Sequence, residues 1–266
     1  MNRTRGQSPH VLQTASQATP CSSVADLRFA VCATNFGSWS DPHLSVRAAR
    51  AAQAAGWEGY FVWDHLAFVW GPPSADPWVT LAAVAAATDG LTLGTAVTPL
   101  PRRRPQVVAQ QLATLERLND GRVVLGAGLG GNEQEFTAFG EDFDPRRRAK
   151  LLDDGLELVR ELWQGPIWIG GQSGPALRRA ARWDGWIPNS LEPHRVTMSA
   201  AELAEKVRVI GRGDGYEVAF NGYSEPGENV REYAEAGATW WLENLHDLRA
   251  DEDALVARIE AGPPEA

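Results

Sequence analysis

Residues 91–128 read LTLGTAVTPLPRRRPQVVAQQLATLERLNDGRVVLGAG, the pattern of a strand, a helix and a second strand in succession. Its first eight residues have the β-branched, apolar make-up of a strand. Residues 105–118 follow with the apolar spacing of a helix, opened by Pro105 and closed by Gly121, where a left-handed C-terminal cap costs glycine least. RVVLGAG then returns the chain to a strand. Two strands joined through a covering helix pair in parallel, because a parallel crossover has no shorter route.

The same unit recurs outward in both directions. Strand-like runs start near Arg28 (RFAVCATN), Gly59 (GYFVWD), Leu91, Arg122, Pro166 (PIWIGG), Gly185 (GWIPN), Tyr216 (YEVAFN) and Thr239 (TWWLEN). The first three intervals are 31, 32 and 31 residues. Helical spacing fills residues 42–55, 77–87 and 148–163 between them. Asp41-Pro42, Asp76-Pro77 and Asp144-Pro145 each set a capping acid before a first-turn proline, and Gly56 and Gly90 follow helices as Gly121 does. Eight such units predict a closed (β/α)₈ barrel of parallel strands. A doubly wound open sheet is the alternative, but no GxGxxG opens the first helix.

Composition narrows the classes of function. A chain of 266 residues fits one barrel of about 250 residues, so residues 28–266 read as a single domain. Residues 1–27, rich in Ser, Thr, Gln and Arg, read as a disordered tail without the apolar core of a signal peptide. A net charge of −9 argues against nucleic acid or an anionic membrane as the main partner, and no apolar run approaches the ~18 residues of a span. Cys21 and Cys32 form neither a CxxC nor a metal spacing, and neither reads as a disulfide partner. A cytoplasmic protein without a bound metal is expected.

In a barrel the chemistry belongs at the C-terminal ends of the strands. After the second strand come Asp64 and His65, either an acid oriented on an imidazole for proton transfer or a capping acid beside a packed histidine. No HxH pattern supports a metal-dependent hydrolase. After the third come small residues, Gly94 to Thr98, which suit the approach of a flat ring and equally suit a crowded barrel interior. Arg102, Arg103 and Arg104 read as a solvated turn in preference to an anion clamp. After the fourth, glycines at 126, 128, 130 and 131 suit either a loop that hugs a ligand or a tight turn. After the fifth, Gly170-Gly171-Gln172-Ser173 opens a helix carrying Arg178 and Arg179, a pattern that favours anion binding over a plain capped turn.

Taken together, VWDHL, LGTAVTPLPRRRP, ATLERLNDGRVVLGAGLGGNEQEFTAFGEDFDPRRR, PIWIGG and RRAARWDGW resemble the bacterial luciferase-like monooxygenases, a superfamily that includes flavin- and deazaflavin-dependent oxidoreductases. The resemblance runs from about Phe29 to Asn189. It implies an oxidoreductase or monooxygenase that holds reduced FMN or coenzyme F420 and acts on a small organic substrate, in a family where homodimers are common. It implies Asp64 and His65 at the reactive ring, with His65 exchanging the proton. It implies a cis peptide at Ala96–Val97 behind the ring, Gly128, Gly130 and Gln134 along the cofactor, and Gly170, Gly171, Gln172 and Ser173 at its phosphate. Trp70 is a candidate to stack on the ring.

Two departures stand out. Leu129 replaces an arginine that the luciferases use for the flavin phosphate, which leans toward the F420 branch. Gln164-Gly165 replaces some 25–30 residues that wall the substrate side in relatives, so a more open pocket is expected. That loss motivates the alternative of a cofactor-binding barrel without catalysis. A phosphate-binding aldolase is disfavoured, since Lys150 and Lys206 both fall on helices.

Overall fold

A computed structural model describes residues 27–192 and 195–266. In chain order the elements are β1 (Arg28–Ala33), α1 (Pro42–Ala54), β2 (Gly59–Val62), α2 (Pro77–Ala85), β3 (Thr92–Thr95), β4 (Thr98–Pro99), α3 (Pro105–Leu118), β5 (Val123–Gly128), α4 (Gln134–Thr137), α5 (Pro145–Leu162), β6 (Ile167–Gly170), α6 (Gly174–Ala180) and β7 (Gly185–Ile187). There follow β8 (Leu191–Glu192), β9 (Arg195–Val196), α7 (Ala200–Ile210), β10 (Glu217–Gly222), α8 (Arg231–Glu235), β11 (Trp240–Leu245) and α9 (Glu252–Glu260). The tail expected at residues 1–27 lies outside the described residues except for Leu27, which is buried.

The strands close on themselves. β1 pairs with β2 and with β11, β3 and β4 both pair with β5, and every pairing around the ring through β6, β7 and β10 is parallel. The fold is therefore the expected (β/α)₈ barrel, with β3 and β4 sharing one position on either side of a cis peptide at Ala96-Val97. Strand β8 pairs with β9 in a small antiparallel hairpin that the sequence reading did not anticipate.

The punctuation acts as its residue types require. Asp41 accepts from the His43 amide, Asp76 from Trp78 and Val79, and Asp144 from Arg146 and Arg147, each at a helix start with proline in the first turn. Inside the barrel, Phe61 stacks on Trp168 at 5.6 Å, and Trp240 packs against both. Glycine makes that packing feasible, since a Cβ on Gly94 would stand 2.7 Å from the Phe61 ring. A second apolar layer, including Val31, Leu93, Leu125 and Ile167, lies between the barrel and its helices.

Candidate functional site

Because all barrel strands run in parallel, their C-terminal ends meet at one rim. A cavity of about 830 Å³ opens there. The ends of β2, β3, β5 and β6 supply Trp63, Ala96, Val97, Gly128 and Gly170 to its wall, so the four stretches singled out in the sequence do converge. Val97 forms an apolar shelf. A Cβ at Gly128 would stand 2.6 Å from Val97 Cγ2, and one at Gly170 3.0 Å from Cγ1, so glycine at both positions lets Val97 sit flat against the strand ends.

Gly130, Gly171 and Ser173 also line the cavity, and so do Asp64 and His65. Two expected cofactor contacts do not. Gln134 is exposed on the first turn of α4, its amide bonded to Asn132 Oδ1, and Gln172 turns its side chain to the Asn189 carbonyl. A side chain's direction at a loop or helix start depends on the local turn, which sequence order alone does not define. Trp70 also stands off the wall, edge-on to Phe36 and His65.

The Asp64–His65 pairing is corrected outright. Asp64 is fully buried and accepts from Arg103 Nε at 2.8 Å, Arg103 Nη2 at 2.7 Å and Arg102 Nη2 at 3.1 Å. Arg102 and Arg103 are accordingly not a solvated turn, since their side chains are only 4% and 17% exposed. Burial works against the Arg103 charge, but the Asp64 carboxylate outweighs it and raises the proton affinity of the guanidinium.

The carboxylate that holds His65 is Glu135, on α4 and fully buried. Its Oε1 lies 2.7 Å from His65 Nδ1 and accepts the Leu66 amide at 2.9 Å, while Arg102 Nη2 lies 3.9 Å from Oε2. A carboxylate only accepts, so Nδ1 carries the proton and Nε2 is left for a ligand. The imidazole remains 31% exposed at the cavity.

Charge gathers at the other end of the cavity, where Arg146 and Arg179 reach the wall beside Ser173. Arg179 is buried and fixed by a two-point contact to Asp153, at 2.8 and 3.0 Å. Those bonds hold the Asp153 carboxyl below its usual range. Arg148 shapes the glycine loop by donating to the Gly130 carbonyl at 2.5 Å. Helix α6 has only seven residues, and Ser173 Oγ caps its Ala176 amide, so Arg179 is the stronger anion-facing group.

The sequence reading missed three asparagines at the remaining strand ends, Asn189, Asn221 and Asn244. Among the described residues, Asn244 Oδ1 is buried with no hydrogen-bond partner. Position alone was the available signal, as each falls at or just past the C-terminal end of a barrel strand. Cys32, below the cavity, is no nucleophile: burial pushes its thiol up to about 12 against a hydrogen bond from Trp63. Among the described residues no group of three or more His, Cys, Asp or Glu side chains is placed to hold a metal ion. None of the described helices is long and apolar enough to cross a membrane.

Comparison with known proteins agrees with this geometry. The chain is 32% identical over 197 residues to an F420-dependent hydroxymycolic acid dehydrogenase of Mycobacterium tuberculosis, covering 63% of this chain and 54% of that one. It thus spans about half the length of that enzyme. Among solved structures, an F420-dependent secondary alcohol dehydrogenase in complex with an F420-acetone adduct superposes with a TM-score of 0.70 at 17% identity, over 88% of this chain and 97% of the other. The oxygenating constituent of 3,6-diketocamphane monooxygenase from Pseudomonas putida, in complex with FMN, gives 0.59 at 16% identity, over 72% and 64%. The sequence profile of the luciferase-like monooxygenases matches residues 27–166, just over half of the chain. With its barrel, its rim cavity and that match, the chain belongs to the luciferase-like monooxygenase family.

Proposed function

We propose that this protein is a cytoplasmic oxidoreductase that uses reduced FMN or coenzyme F420 on a small organic substrate. The observation that carries the reading is one cavity with three distinct parts: the Val97 shelf, the Arg146–Arg179 end and the His65–Glu135 pair. The residues fit such a cofactor. Glycine at 128 and 170 keeps the shelf clear for a planar ring, and the arginines suit a phosphate. The orphaned Asn244 Oδ1 suits a ring or substrate N–H or O–H.

When bound, the cofactor supplies the hydride transfer or oxygen activation. The chain's own residues do the rest. Val97, Gly128 and Gly170 would seat the ring, and Arg179, Arg146 and Ser173 would hold its phosphate. His65 Nε2 would take or return the substrate proton, with Glu135 fixing the ring and stabilising the imidazolium formed. Asp64 organises this from behind by pinning Arg102 and Arg103.

His65→Ala tests the assignment. Turnover should fall about 100-fold or more while cofactor affinity stays within a few-fold of the parent. An unchanged rate would remove His65 from the chemistry. The two-residue link from Trp163 to Pro166 favours a second reading, a cofactor-binding barrel without catalysis. That reading requires cofactor binding with no turnover of alcohols, aldehydes or activated alkenes.

A further inference from the structure

Strands β1 and β2 end at Ala33 and Val62, short of His65. A bond from the Trp63 amide to the Ala33 carbonyl, at 2.9 Å, carries their ladder one step further. Past that point a side chain takes over the pairing. Asn35 Oδ1 accepts the His65 amide at 3.0 Å, and Asn35 Nδ2 donates to the His65 carbonyl at 2.9 Å. The same Nδ2 donates at 2.8 Å to the carbonyl of Ala75, whose amide returns a 2.8 Å bond to the Asn35 carbonyl. One carboxamide, on a residue only 2% exposed, thus grips the His65 backbone through both its polar groups and closes the neck of the loop from His65 to Ala75. Both N–H groups and the oxygen are used, so neither a carboxylate nor a hydroxyl can replace it.

That grip bears on the imidazole. Glu135 Oε1 meets Nδ1 at 2.7 Å, but one hydrogen bond fixes a ring only if the Cα that carries it is fixed too. Phe36, Trp63 and Trp70 stand edge-on or tilted to the imidazole, with centroids 5.7–5.8 Å away, and limit how far it tips. None of these rings sets where the His65 Cα lies. Asn35 does, because it bonds the backbone on both sides of that atom. Resting on the reading of His65 as the proton carrier, we propose that Asn35 is a positioning residue. It holds the His65 backbone where Nδ1 meets Glu135 and Nε2 is left for a ligand. A misplaced backbone would loosen the Glu135 contact and let the proton occupy either nitrogen.

The test is NMR of the full chain labelled at its histidine ring nitrogens, at about pH 8.5, above the usual histidine range. It compares the parent with Asn35→Ala, uses His65→Ala to identify the His65 signals, and checks folding by circular dichroism. In the parent, His65 should show one protonated nitrogen and one unprotonated nitrogen. In Asn35→Ala their separation should shrink to about half or less as the two tautomers mix. Asn35→Asp keeps the shape and the acceptor but neither donor, so it is measured beside the alanine variant and should behave the same way. His43, exposed at the start of α1, is the internal control and should not move. The kcat should fall about tenfold, with cofactor affinity unchanged. Folded variants with the ring signals of the parent, or mixed tautomers in the parent itself, would overturn the inference alone. Mixed tautomers in the variants at an unchanged kcat would uphold the positioning and overturn the part given to His65 in the chemistry.

Discussion

His65 draws its orientation from Glu135, 70 residues further along the chain. Glu135→Gln keeps the shape of the side chain but lets it donate as well as accept, so it no longer dictates which imidazole nitrogen carries the proton. We expect turnover to fall about tenfold or more with a displaced pH profile, at unchanged cofactor affinity. An unmoved profile would reduce Glu135 to packing. Asp64 behaves oppositely. Asp64→Asn leaves two buried guanidiniums short of their anion, which costs about 3 kcal/mol and lowers the Tm by roughly 6–10 °C. A variant as stable as the parent would show that the ion cluster contributes little. At this scale the sequence was only partly legible. His65 was findable from its place at a strand end, but its partner was misread as its neighbour. Successive residues leaving a strand project to opposite sides, so adjacency in sequence is poor evidence of contact. The true partner was brought in by the fold, on a short helix after β5.

Elements were far easier to read, because each is encoded locally. Aspartate–proline starts, glycine stops and β-branched runs placed all eight barrel strands to within a residue of their observed starts. The β8–β9 hairpin escaped notice because two-residue strands carry no periodicity. The glycines of β5 had two open readings, ligand cradle or tight geometry, and the structure shows some of each. At Gly128 the neighbour is the Val97 side chain on the cavity shelf. Gly126 is purely geometric, since a Cβ there would stand 1.9 Å from the Thr95 carbonyl oxygen, a backbone atom that cannot swing aside. Gly126→Ala should therefore destabilise the barrel by about 2–3 kcal/mol, read from the denaturation midpoint at an unchanged m-value. A midpoint equal to the parent's would show that β3 and β5 can part without penalty.

Across the whole molecule, charge links stability to the site. The ionised Asp153 carboxyl is favoured first by its hydrogen bonds from Arg179, so folding gains from that ionisation above the ordinary carboxylate range near pH 4. The gain disappears as pH falls through the lowered native value. Asp153 is 39% exposed, so solvent screening limits the effect. Asp153→Asn should lower the Tm by about 1–3 °C at pH 7, with the two proteins converging below about pH 3. A gap that persisted in acid would assign the loss to packing.

In the proposed function the ends of β2, β3, β5 and β6 together seat a planar, phosphorylated ring. A crystal structure of the protein grown with reduced F420, and a second grown with reduced FMN, tests it most directly. At least one of these rings should lie against Val97, with His65 at its reactive edge and its phosphate beside Ser173 and Arg179. Ring density on any other face of the molecule, or an empty rim at millimolar concentrations of both cofactors, would contradict it.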